Sequence, residues 1–522
     1  MNLVPPSAAG AAAPSPACPP RRGYGRLRAA CLIGVHVLFG VHIAHWAIAG
    51  ETLAPLELNE VMYTFELGVV TAGFLLMATA ALATLIFGRF FCAWLCHIVA
   101  LQDLCAALLR KFGLRPKPIR SRVLRLVPFV ALAYMFVWPQ VMRLWSGRPL
   151  PTLHFQSTTE PWASFVTENF WRNLPGPWIA GLTFLICGFA IVYMLGSRAF
   201  CANACPYGAV FGLASRVSPG QLLLRGNCTN CGQCTAVCTS GVWVHQEVQT
   251  FGKIVDPNCL RDLDCVAACP EQAIGFGFAR PAGFSSWRRA GRKPRPFHTS
   301  WREEGLIAVM FLAAVLIFRG LYDAVPFLMT LGIGGILAYM AVLGLRLMRG
   351  EHASIRGHSL RHQGRWTRHG RYFALAAALL TALTLNSACV RYHEYTGGRA
   401  FEDVRAAVER RDTDLMRRSL PVALAHFEAC ERWGMIRSID LDRRLASLYR
   451  YSPTPDAAEP HLRRVLAYEP EDAGARLSLV YLLAHLERGD EAARELAVIE
   501  RTADEAMRDE VDKARAVLQR GR

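Results

Sequence analysis

Seven cysteines between residues 228 and 269 constrain this chain more than any other feature. Four of them fall in CTNCGQCTAVC: Cys228, Cys231, Cys234 and Cys238, separated by two, two and three residues. Three more fall in CLRDLDCVAAC: Cys259, Cys265 and Cys269, followed by Pro270. In the same register, the second run carries Asp262 where the first carries Cys231. Thr239 follows the first run where Pro270 follows the second. Seven of the chain's 17 cysteines lie in these two runs and four more, Cys92, Cys96, Cys201 and Cys205, in two CxxxC segments. They therefore read as metal ligands kept reduced, not as a disulfide framework.

The two, two, three spacing is that of bacterial ferredoxins that bind [4Fe–4S] clusters, in which the last cysteine of each run ligates the other cluster. On that pattern the first cluster takes Cys228, Cys231, Cys234 and Cys269. The second takes Cys259, Cys265, Cys238 and Asp262. A carboxylate holds iron less firmly than a thiolate, so the second cluster is expected as [4Fe–4S] or, after loss of one iron, as [3Fe–4S]. A zinc knuckle is the competing reading, but zinc sites favour two CxxC pairs held farther apart.

Of 522 residues, 52% are hydrophobic and only 19% charged. That profile belongs to a membrane protein with soluble parts. The net charge is +17. The basic residues sit in loops beside apolar runs, the positive-inside pattern, and no basic segment carries the interleaved aromatics of a nucleic-acid groove. We therefore expect no nucleic acid partner. Met1 to Pro20 is Ala- and Pro-rich and expected to be disordered. Apolar runs at Ala29–Ala49, Leu67–Phe87, Leu126–Met142 and Trp178–Leu195 are expected to span, as are Gly305–Phe318, Val325–Leu343 and Tyr372–Cys389. Charge alternation places the N-terminus and the cysteine runs in the cytoplasm of a bacterial inner membrane. It places the region after Val390 in the periplasm.

Two further segments repeat each other. GRFFCAWLC and SRAFCANAC align Cys92 with Cys201 and Cys96 with Cys205. Residues four apart share a helix face, so the two pairs offer a four-thiolate metal or redox centre; the alternative is a structural turn with thiols packed against protein. The tail from about Ala400 carries a third repeat. RLASLY at Arg444–Tyr449 aligns with RLSLVY at Arg476–Tyr481, and Asp456, Ala458 and Leu462 align with Asp490, Ala492 and Leu496. Pro470 lies between the units. That period is the one of tetratricopeptide helix pairs, which present a docking surface; an ordinary helical hairpin domain is the plainer reading.

Helix pair, GRFFCAWLC, helix pair, FCANACP and then a two-cluster region: this order resembles the NapH, NosR and CcoG group of membrane polyferredoxins, the NapH type most of all. The resemblance covers roughly residues 29–277. It implies an electron-transfer protein that passes electrons from quinol, a quinol dehydrogenase or a cytoplasmic carrier to a partner reductase. CcoG-type members imply the alternative, a copper reductase or assembly factor for a respiratory metalloenzyme, with the client docked on the helical tail. The sequence departs from the pattern at His97, which stands where a proline is usual, and at Asp262.

The expected fold is mainly α: polytopic membrane helices with an inserted two-cluster ferredoxin-like (α+β) domain and a C-terminal all-α domain of tetratricopeptide type. The expected boundaries are 1–28 for the basic N-terminus and 29–205 for the membrane region with both CxxxC motifs. The ferredoxin domain takes 206–277, a basic linker 278–304, three further spans 305–391 and the helical tail 392–522. His42 and His45, one turn apart in the first span with His36 nearby, are candidates for quinol contact, for a b-type haem or for structural hydrogen bonds. Cys389 and Cys430 are candidates for a disulfide outside the cytoplasm, and LTLNSAC before Cys389 is similar to a lipoprotein signal. Cys18, Cys31, Cys105 and Cys187 read as free or buried thiols.

Overall fold

The structure is a computed structural model that describes residues 23–53, 60–114, 116, 118–155, 165–167, 177–284, 297–502 and 507–520. The expected disorder of Met1 to Pro20, and Cys18 with it, lies outside these residues, as does part of the linker. The described chain is mostly helical, with little sheet. It divides into two units, Met1–Leu312 with Leu331–Arg371, and Ala313–Thr330 with Tyr372–Arg522.

Among the described residues, five helices are long and apolar enough to cross a membrane: Tyr24–Ala49, Arg122–Trp145, Trp178–Leu195, Phe327–Met348 and Arg368–Arg410. Their starts and stops follow local chemistry. Gly50, at φ 78°, closes the first helix by donating its N–H to Trp46. Ser121 caps the second by accepting from the Leu124 N–H at 3.2 Å. The same N-terminus receives the buried Glu304 carboxylate, which accepts from the N–H groups of Arg122 and Val123 and from the hydroxyls of Ser121 and Thr299. A negative charge is favoured at that end of a helix. Burial opposes the charge on Glu304, yet these four donors hold its carboxyl below the usual range.

Three expected spans differ in the structure. Leu67–Phe87 is broken into helices Glu60–Leu67 and Ala72–Phe87, the second of 16 residues. The cause is Gly68, at φ 83°, where a Cβ would stand 2.2 Å from the Thr152 carbonyl oxygen. The backbone there leaves the helix to bond with His154, through Val70 N–H and the Gly68 carbonyl. The run Gly305–Phe318 belongs to a helix that starts at Trp301. It is not among the five helices above. The last run does not end at Cys389: one helix of 43 residues continues to Arg410, through the expected boundary at 391.

Within the first unit, the cysteine-rich segment is closed by an antiparallel pair of strands. Gly220–Leu224 runs against Ile274–Phe278, with Leu222 opposite Phe276. Leu222, Val242, Val244, Val248, Ile254, Val266 and Ile274 form its small core. Short helices Gln233–Val237, Val244–Phe251 and Asp264–Ala267 lie between the strands.

The second unit stacks helices in pairs. Ile439–Tyr449 precedes Ala458–Tyr468, and Ala473–His485 precedes Gly489–Thr502. The aligned residues occupy the same inward positions, for Ala458, Leu462, Ala492 and Leu496 share one core. The break at Pro470 falls between the pairs, and Asp472 caps the third of these helices through the Ala475 N–H.

Candidate metal centres

The two cysteine runs share a backbone as well as a pattern. In the first run the chain takes positive φ at Asn230 and Gly232, on either side of Cys231. In the second it does so at Arg261 and Leu263, on either side of Asp262. Gly241 and Gln272 repeat the match after each run. Val242 N–H donates to the Cys238 sulfur, and Ala273 N–H to the Cys269 sulfur, both at 3.3 Å. Each pair of residues is 31 apart in the chain. Leu263 adopts a left-handed backbone that a leucine rarely accepts. The shape of the ligand loop is thus kept where the ligand itself is different.

The fourth cysteines cross between the runs. Cys228, Cys231 and Cys269 are the charge-bearing groups that act on the Cys234 thiol, and these four thiols line one hollow with His245 and Pro270. The neighbours of Cys265 are Asp262, Cys259 and Cys238, then Cys234. Burial pushes the Cys234 thiol up to about 11 and that of Cys259 up to about 12. Without a cation these groups stay neutral thiols; a bound metal is what makes them thiolates. The chemistry of this donor set, soft sulfur with N–H groups aimed at two of the sulfurs, fits iron–sulfur clusters.

Asp262 is buried and held from several sides. Thr239 Oγ1 donates to its Oδ2 at 3.2 Å, and the Asp264 N–H donates to its Oδ1 at 3.4 Å. The Arg28 guanidinium stands 3.7 Å away. A carboxylate has about four lone-pair positions, so these contacts leave room for a metal. Thr239 also accepts from Arg198 Nε at 3.3 Å. Arg198 in turn pairs with Asp103 at 2.8 Å, and Asp103 lies 3.4 Å from Arg28. A proline at 239 would have no hydroxyl for either bond. The two departures from the ferredoxin pattern, Thr239 and Asp262, are therefore one hydrogen-bonded unit.

The CxxxC segments form a second internal pair, but not as two-turn helix faces. Cys92 lies in the short helix Phe90–Trp94 and Cys201 in Ala199–Asn203. The chain then opens to extended geometry at Cys96 and Cys205, each the residue before a new helix, His97–Lys111 and Pro206–Val217. The expectation that each pair shares one helix face is corrected: five-residue helices end before the second thiol. The four thiols still converge. Cys201 has Cys96, Cys205 and Cys92 among its neighbours, and Cys205 has Cys96 and Cys92. Burial pushes Cys96 up to about 11 and Cys205 up to about 12, while N–H groups of Val99 and Ile98 at one helix start and of Gly208 at the other act against it.

Two buried donors beside this set are without a hydrogen-bond partner among the described residues: Gln102 Nε2 and Arg89 Nε. Gln102 Oε1 accepts from the Cys201 thiol at 3.6 Å. Unsatisfied buried donors of this kind fit a negatively charged metal–thiolate group. Arg89 and Arg198 occupy the same place in the two aligned segments, and both are almost fully buried. Sequence analysis passed over them, although the alignment of GRFFC with SRAFC already showed them. Arg28, Asp103 and Gln102 had no such signal.

Residues 69–115 and 177–226 match a protein family described as a 4Fe-4S binding domain. The ferredoxin-type protein NapH of Haemophilus influenzae is 23% identical over 237 residues, covering 44% of this chain and 73% of that one. The methylamine utilization ferredoxin-type protein MauN of Methylobacillus flagellatus is 28% identical over 221 residues, covering 42% and 67%. The chain is thus similar, over these segments, to ferredoxin-type electron transport proteins. The putative electron transport protein YccM of Escherichia coli is 25% identical over 222 residues, covering 41% of this chain and 58% of its own length. No solved structure matches the chain. The matched segments carry the four CxxxC thiols and end just before Cys228.

The two cysteine regions are stitched together within the first unit. Arg89 donates to the Pro257 carbonyl at 3.1 Å, Trp94 Nε1 to the Arg261 carbonyl at 3.2 Å, and Arg261 to the Phe87 carbonyl at 3.0 Å. Gly88, at φ 76°, leaves room for the Arg261 guanidinium, which a Cβ there would displace. The histidines of the first helix have local partners. His36 Nδ1 meets the Leu32 carbonyl, and His45 Nδ1 meets Thr52 Oγ1 at 3.2 Å. Cys31, Cys105 and Cys187 are free thiols, and so are Cys389 and Cys430.

Proposed function

We propose that this protein is a membrane-bound electron carrier with two iron–sulfur clusters in a ferredoxin-like domain. Cys228, Cys231, Cys234 and Cys269 would hold a [4Fe–4S] cluster. Cys238, Cys259, Cys265 and Asp262 would hold the second, as [4Fe–4S] or, through the weaker Asp262 ligand, [3Fe–4S]. The observation that carries this reading is the crossing of Cys238 and Cys269 between two loops of the same backbone shape. Clusters of this kind take up and release one electron at a time. The chain's own residues hold them in a small dry core, aim N–H groups at sulfur and supply Arg28 and Arg198 near the acidic ligand. No proton donor or nucleophile is required.

Cys92, Cys96, Cys201 and Cys205 would form a third metal or redox centre, beside the clusters and at the membrane surface. Electrons would enter from quinol, a quinol dehydrogenase or a cytoplasmic carrier and leave to a partner reductase. Orientation follows from charge: the cluster side faces the cytoplasm of the inner membrane, and the tail, with helix pairs of tetratricopeptide type, docks a client on the other side. The buried four-thiol set also supports a second reading, since soft thiolates select copper(I): a metal reductase or assembly factor.

Electron paramagnetic resonance on membranes tests both. Signals of reduced clusters that appear on adding a quinol support the carrier. Reduction only by dithionite, with copper bound through the four CxxxC thiols, supports the second reading. Absence of cluster signals under both conditions would overturn the proposal.

A further inference from the structure

A further set of metal-ligand side chains belongs to the second unit. The helix Arg368–Arg410 carries Cys389 and His393; the helix Thr413–Trp433 carries His426 and Cys430. Each pair is four residues apart, so each lies on one helix face. The order is reversed between them, Cys then His and His then Cys. Two helices joined by a tight turn run antiparallel, which sets His393 opposite His426 and Cys389 opposite Cys430.

The observed contacts agree with that pairing. His393 Nδ1 lies 2.8 Å from His426 Nδ1, with ring centroids 5.0 Å apart. The buried Cys430 thiol donates to the Val390 carbonyl at 3.7 Å, on the turn that carries Cys389. Cys389 is among the groups that act on the ionisation of Cys430. Gly397 lets the helices approach: a Cβ there would be 3.1 Å from His426 Cβ. Both cysteines are free thiols. Two facing imidazole nitrogens share at most one proton between their lone pairs.

We propose that Cys389, His393, His426 and Cys430 form a tetrahedral site for a thiophilic d10 cation, Zn2+ or Cu+, that clamps the last membrane helix to the tail. Two thiolates and two imidazoles are a donor set of structural zinc, and thiolate with imidazole also suits copper(I). The two nitrogens need to part to about 3.3 Å, and the two thiols to rotate towards them, to ligate one ion at zinc–nitrogen bond length. Binding replaces the weak S–H contact of Cys430 with a metal–thiolate bond and releases the two thiol protons, while the imidazole that carries its proton on Nδ1 moves it to Nε2 and ligates as a neutral ring. This site is independent of the electron-transfer reading, since it shares no residue with the other centres.

The test uses the full chain in detergent, reduced and then loaded separately with Zn2+, Co2+ and Cu+. Wild type is expected to hold about one zinc per chain more than Cys389→Ala/His393→Ala, with iron content unchanged. Co2+ is expected to give tetrahedral d–d bands and a sulfur charge-transfer band, the latter weakened in Cys389→Ala alone. Cys389 is exposed, so that single variant keeps its fold, which circular dichroism checks. Equal zinc in wild type and double variant overturns the proposal. So does an intact mass showing a Cys389–Cys430 disulfide that survives isolation and excludes zinc.

Discussion

The first and second cysteine runs have the same backbone but different surroundings. Around Cys231 the loop turns at Asn230 and Gly232, residues suited to positive φ, and Cys231 itself is exposed. Around Asp262 it turns at Arg261 and Leu263; the acid and Arg261 are buried and Leu263 is half-buried. The second loop leans on the membrane helices through Arg261 and on the Arg28–Asp103–Arg198–Thr239 network. A ligand loop can thus tolerate an unusual ligand and strained residues where tertiary contacts hold it from outside. The exposed loop relies on its own turn residues.

Substitutions can break that comparison. The largest effect is expected from Cys228→Ala, which takes a thiolate from the first set; cluster-bound iron should fall by roughly four per chain, with the second signal retained in paramagnetic resonance. Arg198→Leu removes the cation from Asp103 and from Thr239 at once. Leaving the half-buried Asp103 with Arg28 as its remaining cation should cost about 2 kcal/mol, read as a lower midpoint of thermal unfolding, and should disturb the second cluster signal more than the first.

A control far from both runs comes next. Arg346 donates to Glu303 at 2.6 Å, and that hydrogen bond holds the Glu303 carboxyl at about 2. A depressed acid stabilises the fold above its unfolded value and ceases to do so as pH falls through the folded one. Glu303→Gln should therefore cost about 1.5 kcal/mol at neutral pH and much less near pH 2, with both cluster signals unchanged. Thr239→Val should cost about 1 kcal/mol and alter only the second signal. Asp262→Cys should change stability least. Its readout is spectroscopic: the second run becomes like the first, and any [3Fe–4S] signal on mild oxidation disappears. An unchanged spectrum in Asp262→Cys and in Asp262→Ala alike would show that Asp262 is not a ligand.

Much of the candidate site was legible in the chain. Cys228 to Cys238 and Cys259 to Cys269 announce themselves by spacing, and the pairing of Cys92 with Cys201 follows from two aligned segments. The helix geometry of the CxxxC pairs was misjudged, because a run of apolar residues does not reveal where a five-residue helix stops. The break at Gly68 was missed for a related reason: its cause, the backbone of His154, lies far along the chain. Glu304 reads as a charge near a short apolar run, yet it caps a helix that begins at Arg122.

The sequence by itself determined the ligand inventory, the order of apolar runs and the repeats, because spacing and hydrophobic period act locally. Only the tertiary structure decided which groups meet. It brought Thr239 to Asp262, Arg198 to Asp103, Gln102 to Cys201 and His393 to His426. These contacts join residues from different helices and loops, and a buried polar group takes whichever partner the packing brings within hydrogen-bond reach, since leaving it unpaired costs more than any local preference can return.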